Sequence, residues 1–416
     1  WLLSAAAPSA TQPQQPQQPQ QPQQPRPLLG ARLTDKAPLA MPGGQPDVRL
    51  MPARALAQAY RRVLLRDGER LLTYGDPRGL PALREQLALM LTQTRGLRLD
   101  PSQVLVTRGS QMGLALAIQA LIQPGDRVAV EAMGYQPAWA ALRAAGAVLV
   151  PIPIDAEGIC TEHIVLAHAQ SPLRAVYVTP HHQYPTTALM SAPRRLALLS
   201  FAAQARVAIL EDDYDHEFQY EGRPVLPLAA SDQAGVVVYI GTLSKVLAPA
   251  LRIGFLVGAS PWIDALAVRR ALWDRQGDQV AEAAVAELMD SGELARHVRK
   301  MRRVYAERRL ALADLLRHHL SDALRFRLPL GGMAIWAEVL AGAGVSAQQW
   351  ALRAEAAGVS FTDGSRYTFD GSPSPFLRLG FACLRPDELE EAVRRMVHAA
   401  SIPASLSVIK RASRGA

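Results

Sequence analysis

The chain has 416 residues, 49 % apolar and 20 % charged, enough to bury the core of one large two-part domain or of two to three ordinary ones. Its net charge of +8, with arginine far outnumbering lysine, would suit a polyanion, but a GC-rich coding sequence gives the same balance. Cys160 and Cys383 are too few and too far apart for a disulfide framework or a cysteine zinc cluster and suit a reducing cytoplasm; no apolar run approaches the ~20 residues that cross a bilayer, and no basic-then-apolar leader opens the chain.

Residues 11–27, "TQPQQPQQPQQPQQPRP", repeat proline every third position, a spacing that fits polyproline II and excludes helix or strand interior. Residues 1–40 are therefore expected to be a disordered linker. Because the chain begins at Trp1 with such a linker, a further domain is expected upstream. From "MPGGQPDVRLMPARALAQAYRRVL" onward the pattern is globular. "VLVT" reads as a buried strand and "RGSQMGLALAIQALI" as the helix after it. "DRVAVE", "AVLVPIPI", "RAVYVTP", "RVAILEDD" and "GVVVYIGTLSK" are further short Val- and Ile-rich runs, several separated by helical stretches such as "APRRLALLSFAAQA". Strands alternating with helices predict an α/β fold with a largely parallel sheet. Beyond about residue 262 the pattern turns helical, with a long basic helix through "RHVRKMRRVYAERRLALADLLRHHL". The last hundred residues mix "GGMAIWAEV" and "FLRLGF" with helices, as a smaller α+β lobe would, and "SIPASLSVIKRASRGA" reads as a frayed tail.

The chemistry concentrates around Lys245 in "GTLSKVLAPALRIGF". A lone lysine is usually a packed stem with a wet head. Here Thr242, Ser244 and Arg252 surround it with the groups that hold a phosphate, and a desolvated lysine near other cations becomes a nucleophile toward carbonyls. That combination points to pyridoxal phosphate. Such a cofactor needs N–H groups for its phosphate, and Gly109, Ser110 and Gln111 stand at a helix start, although Gly-Ser there is also a common cap. Its ring nitrogen needs a carboxylate, and "VAILEDDYDHEF" ends a strand with Glu211, Asp212 and Asp213, followed by Tyr214 as a donor to the ring oxygen; an exposed acidic turn is the plainer alternative. Tyr135, with Trp139 as second choice, would stack on the ring, unless both are core aromatics.

"YGDPRGLPALREQLA", "RGSQMGL", "TPHHQYPT", "EDDYDHEF" and "GTLSKVLAPALRIGF", in this order, resemble the fold-type I pyridoxal-phosphate enzymes of the aminotransferase class I/II family. The likeness covers roughly residues 40–400 and is strongest to the aminotransferase-like domain of MocR-type regulators of the GntR superfamily. It implies a large domain over 75–300 with a seven-stranded, mostly parallel sheet, and a small domain built from 41–74 and 301–400, with 401–416 as a tail. It implies that Lys245 forms the internal aldimine, that Asp212 pairs with the ring nitrogen and Tyr214 with the ring oxygen, and that Tyr135 stacks. Ser110, Gln111, Thr242, Ser244 and Arg252 would hold the phosphate, and Arg378 in "FLRLGF" would grip an amino acid's carboxylate. It also implies a cytoplasmic homodimer, in which Tyr74 would reach the neighbour's phosphate; a loop aromatic packed on its own chain is the equal alternative.

One departure matters. Ordinary members carry Asn-Pro-Thr-Gly near the ring oxygen, whereas this chain reads "HHQYPTT"; the asparagine is absent, Thr187 stands for the glycine, and His182, Gln183 or Tyr184 would have to substitute. A β-branched residue at Thr187 is unfavourable if the turn needs a positive φ. The expected function is an effector domain that senses an amino acid or amine through Lys245; the alternative is a working aminotransferase. Specific DNA binding is expected only through a winged-helix domain absent from this chain, and no membrane association is expected.

Overall fold

The computed structural model describes residues 39–222 and 225–401. The proline-glutamine repeat and the end of the expected tail lie outside the described residues. Leu39 and Ala40, the last residues of the expected linker, form a parallel pair with Val359 and Ser360.

Seven strands make the main sheet: β1 (Val104–Thr107), β2 (Arg127–Glu131), β3 (Val148–Ile152), β4 (Ala175–Val178), β5 (Ala208–Asp213), β6 (Val237–Thr242) and β7 (Gly254–Val257). Their spatial order is β1-β7-β6-β5-β4-β2-β3. All neighbours run parallel except β7, which is antiparallel to both β1 and β6. β1 and β4 to β7 are buried along their whole length, which is why they read as continuous apolar runs rather than alternating ones. The helices that the sequence predicts between them are present, among them Gly109–Leu121 and Ala192–Ala205. Strand β7, "GFLV", directly after the Lys245 loop, is the one strand of this sheet that the sequence reading missed; it is antiparallel to both neighbours and no α-helix separates it from β6, so it falls outside the strand–helix alternation that marks the others.

Four antiparallel strands make a second sheet: β8 (Leu324–Phe326), β9 (Ala334–Val339), β10 (Thr362–Asp363) and β11 (Phe376–Gly380), in the order β8-β9-β11-β10. The start of the described chain belongs with this sheet, because the Gly380 N–H donates to the Met41 carbonyl at 3.0 Å. Helix Ala53–Leu71 instead packs on helix Gln279–Asp290, which Asp278 caps by accepting from the Val280 and Ala281 N–H groups, each at 3.1 Å. The long helix Glu293–Leu320 buries Leu294, Met301, Tyr305, Leu312 and Leu316 at helical spacing and turns Arg299, Lys300, Arg302 and Arg303 to solvent. Part of the arginine content is structural: Arg84, Arg95, Arg195, Arg270, Arg308, Arg309 and Arg378 are buried. Among the described residues no helix is long and apolar enough to cross a membrane.

Candidate functional site

The carboxyl ends of β4, β5 and β6 and the loop between β6 and β7 bring the predicted residues together. Parallel strands leave their C-terminal edge as the ligand-binding crevice, and β5 ends there in Glu211, Asp212 and Asp213. All three carboxylates are buried, so the exposed acidic turn is excluded. Glu211 is absorbed by structure: it accepts the Leu228 and Ala229 N–H groups at 2.7 and 2.9 Å, and burial pushes it up to about 7. Asp213 accepts from the Tyr239 hydroxyl at 2.7 Å and pairs with His216 Nδ1 at 2.8 Å; burial would raise it, but His216 and His181 outweigh burial and hold it well below the usual carboxylate range.

Asp212 differs. One oxygen, Oδ2, accepts from the Tyr177 hydroxyl at 2.7 Å; the other, Oδ1, is buried with no partner. Burial pushes the group up to about 6, against the Tyr177 hydrogen bond and the nearby charge of Lys245. A buried acceptor left open costs about 1–3 kcal/mol and is rare in a folded chain unless something binds there. A protonated ring nitrogen is a donor of the required kind. Tyr177, on β4, was not singled out from the sequence. The available signal was a hydroxyl inside the buried run "AVYV", which must find a partner.

Lys245 is half-buried and makes no hydrogen bond or ion pair among the described residues. Burial is the main cause of its lowered pKa; Asp215 opposes that, Arg378 adds to it and Asp212 opposes it. An amine that is free, poorly solvated and less basic than usual is a competent nucleophile.

The anion cradle forms where three segments meet. Gly109 opens helix Gly109–Leu121 at φ 78°, and no side chain caps that end, so its first N–H groups and the helix dipole remain available. Gly254 pairs in register with Thr242, and a Cβ on Gly254 would come within 2.7 Å of the Ser110 nitrogen, so β7 lies directly against the helix start. Arg252, at φ 53°, donates to the Arg108 carbonyl at 2.9 Å and lies against Gly109. Thr242 and Ser244 share a hydroxyl hydrogen bond of 2.9 Å. A helix N-terminus, a guanidinium and two hydroxyls form a donor set for a phosphate. A cavity of about 760 Å³ opens beside Arg252 and Arg108, bounded also by Trp273.

Of the two aromatic candidates, Trp139 is buried in the core against Phe369. Tyr135 is half-buried, with its hydroxyl 3.3 Å from Gln111 Oε1 and its ring edge-on to Tyr184 at 5.4 Å. The Tyr214 hydroxyl donates to the His182 carbonyl at 2.9 Å. Arg378 comes from β11, in the second sheet, and is 1 % exposed. Its Nε donates to the Pro185 carbonyl at 3.2 Å, the Tyr184 ring lies 4.5 Å away, and Nη1 and Nη2 have no partner. Gly43 packs so closely on this guanidinium that a Cβ there would collide with it. Two open donors on a fixed planar fork match a carboxylate.

The His182 and Gln183 side chains of the "HHQYPTT" turn are spent on protein partners. Gln183 donates to the Met133 and Tyr184 carbonyls at 2.8 and 2.6 Å and accepts from the Thr186 N–H and hydroxyl at 3.2 and 2.6 Å. His182 is held by Asp215 and Gln219 at 2.6 and 3.1 Å. Only Tyr184 turns toward Tyr135, Tyr214 and Arg378. Thr187 adopts φ 62°, the conformation in which its branched side chain is unfavourable. Tyr74 is 81 % exposed, with Arg275 of its own chain 5.2 Å from its ring.

Comparison with known proteins gives the same result. The Aminotransferase class I and II family profile matches residues 43–396. The chain is 33 % identical over 358 residues to the probable rhizopine catabolism regulatory protein MocR of Rhizobium meliloti, covering 86 % of this chain and 71 % of that protein. It is 31 % identical over 362 residues to 2-aminoadipate transaminase of Thermus thermophilus, covering 86 % and 89 %. The alpha-aminoadipate aminotransferase of Thermus thermophilus, solved with N-(5'-phosphopyridoxyl)-L-leucine, superposes with a TM-score of 0.80 at 29 % identity over 87 % of this chain and 92 % of that one. Kynurenine aminotransferase of Pyrococcus horikoshii gives 0.80 at 28 % identity over 87 % and 90 %. The chain belongs to the class I and II aminotransferase family, with its fold-type I architecture, and pyridoxal 5'-phosphate is the cofactor that this membership indicates.

Proposed function

We propose that this chain is the effector-sensing domain of a MocR-type regulator, cytoplasmic, which captures an amino acid or amine at a pyridoxal-phosphate site centred on Lys245. The MocR likeness supports this reading, and the "HHQYPTT" turn carries it: where ordinary family members offer an asparagine amide to the ring oxygen, this turn uses the amide of Gln183 internally and presents Tyr184.

When bound, the cofactor supplies an aldehyde that condenses with amines and a protonated ring that draws electrons from the bonds at the amine's α-carbon. The residues fit it. Lys245 Nζ would be the amine that holds the aldehyde carbon, and Asp212 Oδ1, the open acceptor, would accept the ring N–H and keep that nitrogen protonated. Tyr214 would donate to the ring oxygen and Tyr135 would stack on the ring. Ser110, Gln111, Thr242, Ser244 and Arg252 hold the phosphate. The ligand's carboxylate occupies Arg378 Nη1 and Nη2. Because Arg378 stands on the second sheet while Asp212 ends a strand of the first and Lys245 follows another, one ligand ties the two sheets together and favours their closed arrangement. Exposed Leu72, Tyr74, Leu272 and Trp273 suit burial in a homodimer, with Tyr74 free to reach a partner's site.

The second reading, a working aminotransferase, draws on the same free lysine: Nζ, once released, is a base positioned to move the α-proton. Absorbance spectra of the loaded protein with a panel of amino acids and amines separate the two. A sensor shifts its band and stops, whereas an enzyme converts to the pyridoxamine form. Sustained turnover with a keto acid would overturn the sensor reading.

A further inference from the structure

Arg378 is a buried cation with no counter-charge. It is 1 % exposed, Nη1 and Nη2 have no partner, and no carboxylate pairs with it among the described residues. Withdrawing a lone charge from water is costly unless a fixed group answers it. Two consecutive residues of the loop after β4 supply that answer. The Pro185 carbonyl accepts from Nε at 3.2 Å, and the guanidinium carbon lies over the Tyr184 ring, 4.5 Å from its centre. That separation is well within the ~6 Å at which the negative face of an aromatic ring attracts a cation. Trp336 stands opposite Arg378 across β9 and β11, but its ring stacks on Phe376 at 5.0 Å instead.

Tyr184 is itself held in place. Its N–H donates to Thr179 Oγ1 at 2.9 Å, and the Thr179 hydroxyl and N–H donate in turn to the buried Glu131 carboxylate at 2.8 and 3.1 Å. Tyr135, Tyr214 and Tyr367 each meet its ring edge-on, at 5.4, 5.9 and 5.4 Å. Backbone and ring are therefore both fixed before a ligand arrives.

We propose that Tyr184 is a positioning residue for the empty site: the face of its ring stands in for a ligand's carboxylate and holds the Arg378 fork until one arrives. This rests on the reading that Arg378 takes the ligand's carboxylate. A carboxylate that pairs with the guanidinium neutralises it and weakens its attraction to the ring, so ring and carboxylate compete for the same charge. Tyr184 thereby sets how firmly a carboxylate is retained. An amine without a carboxylate leaves Arg378 on the ring and escapes the competition.

The test uses the full, cofactor-loaded chain with Tyr184→Phe and with phenylalanine bearing one, two or three ring fluorines at the same position. This series drains negative charge from the ring face while nearly keeping its shape. Affinities for L-leucine and for 3-methylbutylamine, the same molecule without its carboxylate, are read from the shift of the lysine-bound absorbance band. L-Leucine should bind tighter with each fluorine, by about 3- to 10-fold over the series, while the amine stays level. An L-leucine affinity that stays level or falls, or an equal gain for the amine, overturns the proposal. A second arm needs no ligand: fluorination should lower the thermal midpoint when Arg378 is present and not in an Arg378→Met background. Equal losses in both backgrounds overturn the proposal. A wild-type band that responds to neither compound overturns the reading beneath it, and the thermal arm then judges the Tyr184 contact alone.

Discussion

Asp212 makes a measurable bargain between stability and function. Its carboxyl is raised from 3.8 to about 6 because burial disfavours the charge more than Tyr177 and Lys245 favour it. That displacement is worth about 3 kcal/mol at about 1.4 kcal/mol per unit. Since the folded-state value lies above the unfolded one, the cost is absent below about pH 3.8, grows through the interval and is complete above about pH 6. Asp212→Asn keeps an acceptor for the Tyr177 hydroxyl but does not titrate. The buried Glu211, pushed up to about 7, titrates alike in the two proteins and cancels; Glu131, also pushed up to about 7 mainly by burial, is raised in smaller part by the Asp212 charge, so the variant lowers it and adds to the same trend. The stability of the cofactor-free variant relative to wild type should therefore rise by about 3 kcal/mol between about pH 4 and about pH 7. An offset of about 1–3 kcal/mol from the variant's unsatisfied amide N–H shifts the curve without changing its slope. Urea unfolding across this range measures it. A difference that does not change with pH would refute the claim that Asp212 is buried, ionised and unpaired. Adding cofactor should reverse the ranking, because only the carboxylate holds a ring proton.

Tyr177→Phe removes the one donor to Asp212, so at neutral pH the carboxylate is scarcer and cofactor affinity should fall about 10- to 100-fold, read by absorbance titration. Arg252→Gly suits the local φ of 53° and removes the whole side chain, guanidinium included; it should weaken pyridoxal 5'-phosphate binding at least about tenfold while leaving pyridoxal, which has no phosphate, unaffected. Thr187→Gly relieves a β-branched residue at φ 62° and should stabilise the protein by about 0.5–1 kcal/mol, seen as a higher thermal midpoint; a lower midpoint would show that the turn gains more from the threonine than the conformation costs.

The parts of this protein that were legible in its sequence are those written locally. The runs that became β1 to β6 are contiguous and rich in Val and Ile, and Lys245, Thr242, Ser244 and Arg252 stand within eleven residues of one another. What was not legible depends on contacts between distant segments. Tyr177 meets Asp212 across 35 positions and His182 meets Asp215 across 33, and each member alone looks like an ordinary core or loop residue. The alternatives for the missing asparagine could be named but not resolved, because the choice depends on how the turn closes: Gln183 and His182 are used up by Met133, Tyr184, Thr186, Asp215 and Gln219, which leaves Tyr184. Helix Ala53–Leu71 shows the same limit. Its neighbours in sequence meet the second sheet, while its apolar face packs on Gln279–Asp290.

The chain contains four lysines: Lys36, Lys245, Lys300 and Lys410. Borohydride reduction after incubation with pyridoxal 5'-phosphate fixes the cofactor to whichever amine holds it, and peptide mass mapping reports the position. Phosphopyridoxyl mass confined to Lys245 is the predicted result; a protein that stays unlabelled there, or carries the label at Lys36, Lys300 or Lys410 instead, contradicts the site described.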